Sequence, residues 1–222
     1  MKKVIIFISF CFIVSLLIFS SGCKNSSAST EPVVSDTTHG YPPYTRKPNI
    51  YIYPTSICSL SVELEFPLGG TIIKSIPQYL DGWNIKVDTS GKINDEYDYL
   101  FYECKNPDLY QYTSGWVVNR DSLLTFFSDN LLKAGFNTRE KNDFIEYWIP
   151  RLVEYPYYII YPQFSEDINK IVRLKFSILP DNILRLFYAI KGTNSQSVNL
   201  EVPIIPKYER NGFVVVEWGV VI

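Results

Sequence analysis

Four carboxylates stand in aromatic company: Glu103 after "YLFY", Asp143 and Glu146 within "NDFIEYW", and Glu217 within "VVVEWG". Two carboxylates can hydrolyse a glycoside when they lie roughly 5–10 Å apart and an apolar setting keeps one protonated. Asp143 and Glu146 are three residues apart, so one helix would carry both on one face. The plainer reading of that pair is a solvated helix flank. Glu217 interrupts an apolar run, and strand alternation sets Val214, Val216 and Trp218 on one face with Val215 and Glu217 on the other. An inward Glu217 needs a partner, either an arginine or tyrosine hydroxyls. A cross-strand ion pair therefore competes there with a role in a site.

Other chemistries lack their parts. The single histidine is His39, in a polar stretch rich in Ser, Thr and Pro. Ser-His-Asp and Cys-His catalysis need an imidazole held against the nucleophile, and a linker cannot hold one. HExxH zinc sites, CxxC pairs, P-loops and G-x-G-x-x-G turns are absent from the sequence, so no metal and no nucleotide cofactor is expected. With 21 Lys and Arg against 23 Asp and Glu, the chain has a formal charge of −2. That balance provides no basic face for nucleic acid.

Aromatic side chains are the other resource, at 16% of residues. Flat rings with polar tips suit sugar stacking and protein interfaces. Trp83, Trp116 and Trp218 fall on or beside expected strands and Trp148 on an expected helix, which makes them candidate binding residues. Burial in the core is the competing role for each of them.

The elements that must position these residues are strands with one helical island. "SVELEF" (61–66) and "GWNIKVD" (82–88) alternate apolar and polar residues, and "GTIIKSIP" after Gly69-Gly70 reads as a hairpin partner of the first. "IVRLKFSI" and "NILRLFYAI" are joined by the Pro180-Asp181 turn. Between them and the early strands, Asp121 reads as the cap of a helix carrying Leu123, Leu124, Phe127, Leu131 and Leu132, which Gly135 stops. Asn137 and Glu140 form a capping-box pattern for a second helix, and Pro150 ends or kinks it. The expected fold is α+β, a mainly antiparallel sheet with an inserted helical hairpin, in a single domain over 49–222.

The start of the chain is of a different kind. Met1-Lys2-Lys3 precedes an apolar run from Val4 to Phe19, then Ser20-Ser21-Gly22-Cys23. Sixteen helical residues span about 24 Å, short of the ~30 Å hydrocarbon core, which fits a cleaved leader over 1–22. The small-small-Gly-Cys pattern resembles the lipobox of bacterial lipoproteins, with Ser20 where an aliphatic residue is usual. The resemblance implies cleavage before Cys23 and lipid on its sulfur, a membrane partner, and a protein facing away from the cytoplasm. Lys24 in place of Asp implies sorting to the outer membrane in a two-membrane bacterium; in a one-membrane bacterium the protein stays at the cell membrane. Residues 23–48 then form a lipidated tether with a typical reach of roughly 25–30 Å. Cys58 and Cys104 remain in the domain, either as a disulfide worth on the order of 4 kcal/mol or as two separate buried thiols.

The segments "KPNIYIYP", "GWNIKV", "YLFYE", "GWVV", "NDFIEYWIPRL" and "GFVVVEWG" resemble, in order, an uncharacterised family of exported bacterial proteins with a KPxIYLYP-like start and a VEWG-like end. The likeness runs from about Lys47 to Gly219, with Ile52 for the usual Leu and Val220 where a second Gly is common. It implies an exported single domain and no particular chemistry. The favoured expectation is a membrane-anchored, non-catalytic binding module for an envelope glycan or protein. A carboxylate-dependent hydrolase of envelope polysaccharide and a structural assembly subunit are the alternatives. Replacing Cys23 tests the anchor: Cys23→Ala is expected to move the protein from the membrane fraction to the soluble one, and continued membrane fractionation would contradict lipidation.

Overall fold

The computed structural model describes residues 44–222, so the leader, Cys23 and most of the tether lie outside the described residues. Ten strands and three helices follow in the order β1 (Tyr44–Tyr53), β2 (Cys58–Glu65), β3 (Thr71–Ile76), β4 (Trp83–Val87), β5 (Leu100–Lys105), β6 (Trp116–Asn119), α1 (Leu123–Ala134), α2 (Thr138–Trp148), β7 (Tyr157–Phe164), α3 (Ser165–Ile171), β8 (Arg173–Phe176), β9 (Asn182–Thr193) and β10 (Val214–Val221). The fold is α+β. A seven-stranded sheet has the order β3-β5-β1-β10-β9-β7-β6, and a three-stranded sheet has the order β4-β2-β8. Every pairing is antiparallel except β9 with β10. The first strand reaches back to Tyr44, so Tyr44–Pro48 belong to the sheet and not to the tether.

Strand alternation builds three layers. On one face of the large sheet, Tyr51, Leu184, Leu186, Tyr188, Val216 and Trp218 pack under Phe127 and Leu131 of α1 and Phe144 and Trp148 of α2. On the other face, Ile50, Ile52, Leu100, Tyr102, Phe187 and Val215 meet Leu60, Val62, Trp83 and Ile85 of the small sheet. A strand between two cores is apolar on both sides, and β10 is buried along its whole length. The small sheet is solvated on its outer side, so β4 alternates buried and exposed from Trp83 to Val87, as its sequence indicates.

The helical hairpin has the expected chemistry at three of its four ends. Gly135, with φ 104°, takes the left-handed conformation that ends α1 and gives its N–H to Leu131 and Leu132. The Asn137 side chain accepts from the Glu140 N–H while Glu140 accepts from the Asn137 N–H, a complete capping box. Pro150 falls in the 3-10 turn Ile149–Arg151 that closes α2. The start of α1 differs from expectation. Asp121 lies inside a 3-10 turn, Arg120–Ser122, and the capping side chain is that of Asn119, which accepts from the Asp121 N–H.

Two connections also differ. β3 is no hairpin partner of β2: it pairs with β5 in the large sheet, while β2 pairs with β4 and β8. Likewise β8 lies in the small sheet and β9 in the large one. Both links carry the chain from one sheet to the other, a choice that local turn chemistry does not encode. Of the two readings of the cysteines, the structure takes the second. Cys58 on β2 and Cys104 on β5 are free thiols, one half-buried and one buried.

Candidate functional site

Glu217 settles the inward side of β10. It is fully buried on the face shared with the small sheet, where Arg185, its register partner on β9, donates from Nε to Oε2. The Tyr102 hydroxyl donates to the other oxygen at 2.9 Å. Arg185 also gives Nη1 to Asn169 Oδ1 at 2.6 Å and to the Val172 carbonyl at 2.8 Å. Burial, followed by the charge of Glu217, drives the Tyr102 phenol well above its ordinary range. The arrangement is the ion pair with a tyrosine hydroxyl that an inward Glu217 requires.

The other three carboxylates lie on the opposite face of the large sheet. Glu103 follows Phe101 on the strand face away from Tyr102 and Cys104, Asp143 is half-buried on α2, and Glu146 is exposed on α2. Glu217 is separated from all of them by the sheet itself. A hydrolytic pair that includes Glu217 therefore cannot form. Three of the candidate tryptophans are also withdrawn from any ligand. Trp83 is buried between the sheets and donates to the Pro77 carbonyl at 2.8 Å, and Trp148 and Trp218 are buried under the helices. Trp116 is half-buried, edge-on to Phe126 at 5.2 Å.

Glu103 and Asp143 both act electrostatically on one lysine, Lys47. β1 bulges between Arg46 and Asn49, and the bulge puts Lys47 at φ 56°, a conformation side-chain-bearing residues rarely adopt. The bulge turns the Lys47 ammonium onto three rings from two other elements and one loop. Nζ lies 4.8 Å from the Tyr147 centroid on α2, 4.9 Å from Phe101 on β5 and 5.6 Å from Tyr99 just before β5. Such contacts attract a cation through the ring quadrupole. The rings also take water away from the ammonium. This desolvation lowers the Lys47 pKa below 10.5, with nearby Lys74 and Arg151 adding to the effect and Glu103 and Asp143 opposing it.

The same row continues on both sides. Arg151 lays its guanidinium 3.7 Å from the Tyr147 centroid, and Lys74 reaches to 5.9 Å from the Phe101 centroid. Cations and rings thus alternate in the order Arg151, Tyr147, Lys47, Phe101, Lys74. Beneath the row lies a buried polar cluster. Tyr51 donates to Asp143 Oδ2 at 2.8 Å, and Asn49 Nδ2 donates to the Tyr51 hydroxyl at 3.5 Å. Asn49 Oδ1 has no hydrogen-bond partner although the residue is fully buried, and the Trp218 side chain faces the same Tyr51 hydroxyl. A strained backbone and a desolvated amine in one place mark a candidate functional site; buried polar atoms without partners also occur at Trp148 Nε1 and Arg185 Nη2 and do not single it out. Three of the motifs quoted above hold the residues of this place: "KPNIYIYP" with Lys47, Asn49 and Tyr51, "YLFYE" with Tyr99, Phe101 and Glu103, and "NDFIEYWIPRL" with Asp143, Tyr147 and Arg151. Nothing in their spacing shows that they meet.

A second clamp had been visible only as a helix cap. The fully buried Glu140 receives Arg210 at 2.9 and 3.0 Å on its two oxygens, and Arg210 also donates to the Gly135 carbonyl. This fastens the long connection between β9 and β10 onto the helical hairpin. A groove of about 650 Å³ opens at the β3 edge, lined by Leu64, Phe66, Ile72, Tyr79 and Leu80, and none of the four candidate carboxylates lines it. Among the described residues no cluster of His, Cys, Asp and Glu could hold a metal ion, and no helix is long and apolar enough to cross a membrane.

Comparisons with family models, with curated proteins and with solved structures find no match to this chain. The geometry makes one firm demand on stability. Glu217→Gln leaves the Arg185 charge buried without its counter-ion, and urea unfolding is expected to show a loss of about 3–5 kcal/mol. Replacing Arg185 and Glu217 together by Met and Leu is expected to cost less than that single change, because no charge is stranded.

Proposed function

We propose that this protein is a lipid-anchored envelope protein that binds a glycan of the cell envelope without catalysis, and that the face around Lys47 is its binding surface. The observation that carries the reading is the row of cations and rings centred on Lys47, in which Lys47 and Tyr147 are half-buried, Arg151 is exposed and Phe101 is buried. Ring faces take the apolar faces of sugars, while an ammonium, a guanidinium fork and a carboxylate fix polar groups. The lipid on Cys23 and the tether hold this surface at the membrane, with reach toward material beyond it.

Against hydrolysis stands the distribution of the carboxylates. Glu217 is committed to Arg185 on the far face, Glu146 is exposed, and Asp143 is held by the Tyr51 hydroxyl. Incubation of the full chain with purified cell-wall sacculi and envelope polysaccharide is expected to retain the protein and release no sugar fragments. Release of fragments would establish a hydrolase instead, and absence of retention on either material would overturn the glycan-binding reading in favour of a protein partner.

A further inference from the structure

Lys47 poses a physical question. Its ammonium is desolvated by three rings, yet among the described residues it is in no ion pair, and neither is Arg151. Arginines elsewhere in the protein that lose water each contact a carboxylate: Arg185 pairs with Glu217, although its Nη2 has no partner, and Arg210 pairs with Glu140. The bulged backbone holds Lys47 where it is, so the chain keeps, at some conformational cost, a cation on which Glu103 and Asp143 act only from beyond ion-pair distance.

Arg151 is placed to act with it. Both cations use the Tyr147 ring, with Nζ of Lys47 at 4.8 Å and Cζ of Arg151 at 3.7 Å from one centroid. Stacking on the ring and the bond from Nη1 to the Tyr147 carbonyl at 2.6 Å orient the guanidinium plane. Arg151 is exposed and its one hydrogen bond leaves from Nη1, so the rest of its fork is available for a carboxylate or phosphate. Asp143 lies on the same face, with one oxygen held by Tyr51 and the other able to accept from a hydroxyl.

We propose that Lys47 and Arg151 together receive the acidic group of an anionic polysaccharide, carboxylate or phosphate, while Asp143 accepts a hydroxyl of the same sugar. This rests on the glycan-binding reading above and narrows it to acidic glycans. The acid group supplies the contacting counter-charge that neither Glu103 nor Asp143 provides to Lys47, and the sugar ring packs against the half-buried Tyr99. A neutral glycan leaves the ammonium as it was. Glu103 and Asp143, with Lys74 beside them, keep the surface from being a bare basic patch, which disfavours indiscriminate polyanions. Binding weakens with salt, and weakens again as pH rises through the Lys47 titration, because the neutral amine no longer attracts the acid group and Arg151 is left to hold it alone.

The test is binding of the full chain, in detergent, to immobilised polygalacturonate, to a phosphate-bearing mannan, to neutral dextran and to poly-glutamate. Binding to at least one acidic glycan is expected, and the tighter of the two identifies the acid. Arg151→Gln and Lys47→Gln are each expected to weaken it about tenfold or more, as loss of a charge-assisted bond does, and Lys47→Arg to restore part of it. Arg151 is exposed, so its substitution leaves the fold intact and keeps the result interpretable. Equal binding to dextran, stronger binding to poly-glutamate, no binding to either acidic glycan, or indifference to both substitutions would each overturn the proposal. If sacculi still retain the wild-type and Arg151→Gln proteins equally, the binding-module reading survives and only the acidic-glycan assignment falls.

Discussion

The Arg185–Glu217 pair is the pin on which the arrangement turns. β10 is buried on both faces and pairs in parallel with β9, where one hydrophobic residue opposite another would tolerate a slip of register. A slip would strand two opposite charges in the core. With Glu217 locked to Arg185 and capped by Tyr102, the alternation of β10 is fixed: Val215 toward the small sheet, Val216 and Trp218 toward the helices. The pair is a weak source of net stability but a strong penalty on every wrong register.

From that pin the rest of the face follows. β1 pairs with β10 from Tyr53 to Asn49, then shifts register, and the shift is where Lys47 takes its positive φ. Without the bulge, β1 would continue regular pairing to its first residue and the lysine would take its ordinary place in the strand alternation. With it, Lys47 is aimed at the rings of Phe101 and Tyr147. The capping box and the Glu140–Arg210 clamp set the start of α2, which in turn places Asp143, Tyr147 and, past the 3-10 turn, Arg151. A buried ion pair, a bulge and a capped helix together position one half-buried amine.

What was legible in the sequence is what is local. Alternation in "GWNIKV", the Asn137–Glu140 box, the stop at Gly135 and the need of an inward Glu217 for a partner are all written within a few residues of one another. Sheet membership was not, because a turn such as Pro67–Gly70 specifies that the chain reverses and not which sheet receives it. The parallel pairing of β9 with β10 was equally hidden, since two strands buried on both faces lose the alternation that betrays register. The Lys47 surface drew its residues from positions 47, 74, 99, 101, 143, 147 and 151, and only the fold brings them within reach of one another. The tryptophans misled for the opposite reason: bulk and aromaticity are shared by ligand platforms and cores, and here three of four went to the core.

The claim that Lys47 is desolvated without a contacting counter-ion is open to direct measurement. Protein carrying ¹³C at the lysine ε position reports each lysine's titration, and Lys47→Arg assigns the signal. In the free protein the Lys47 midpoint is expected below 10.5, through desolvation by its three rings with Lys74 and Arg151 nearby, and against Glu103 and Asp143. Saturation with an acidic glycan is expected to raise it, since a bound anion favours the charged form. A midpoint at or above 10.5 in the free protein, or one that does not move when an acidic glycan is bound, would contradict the account.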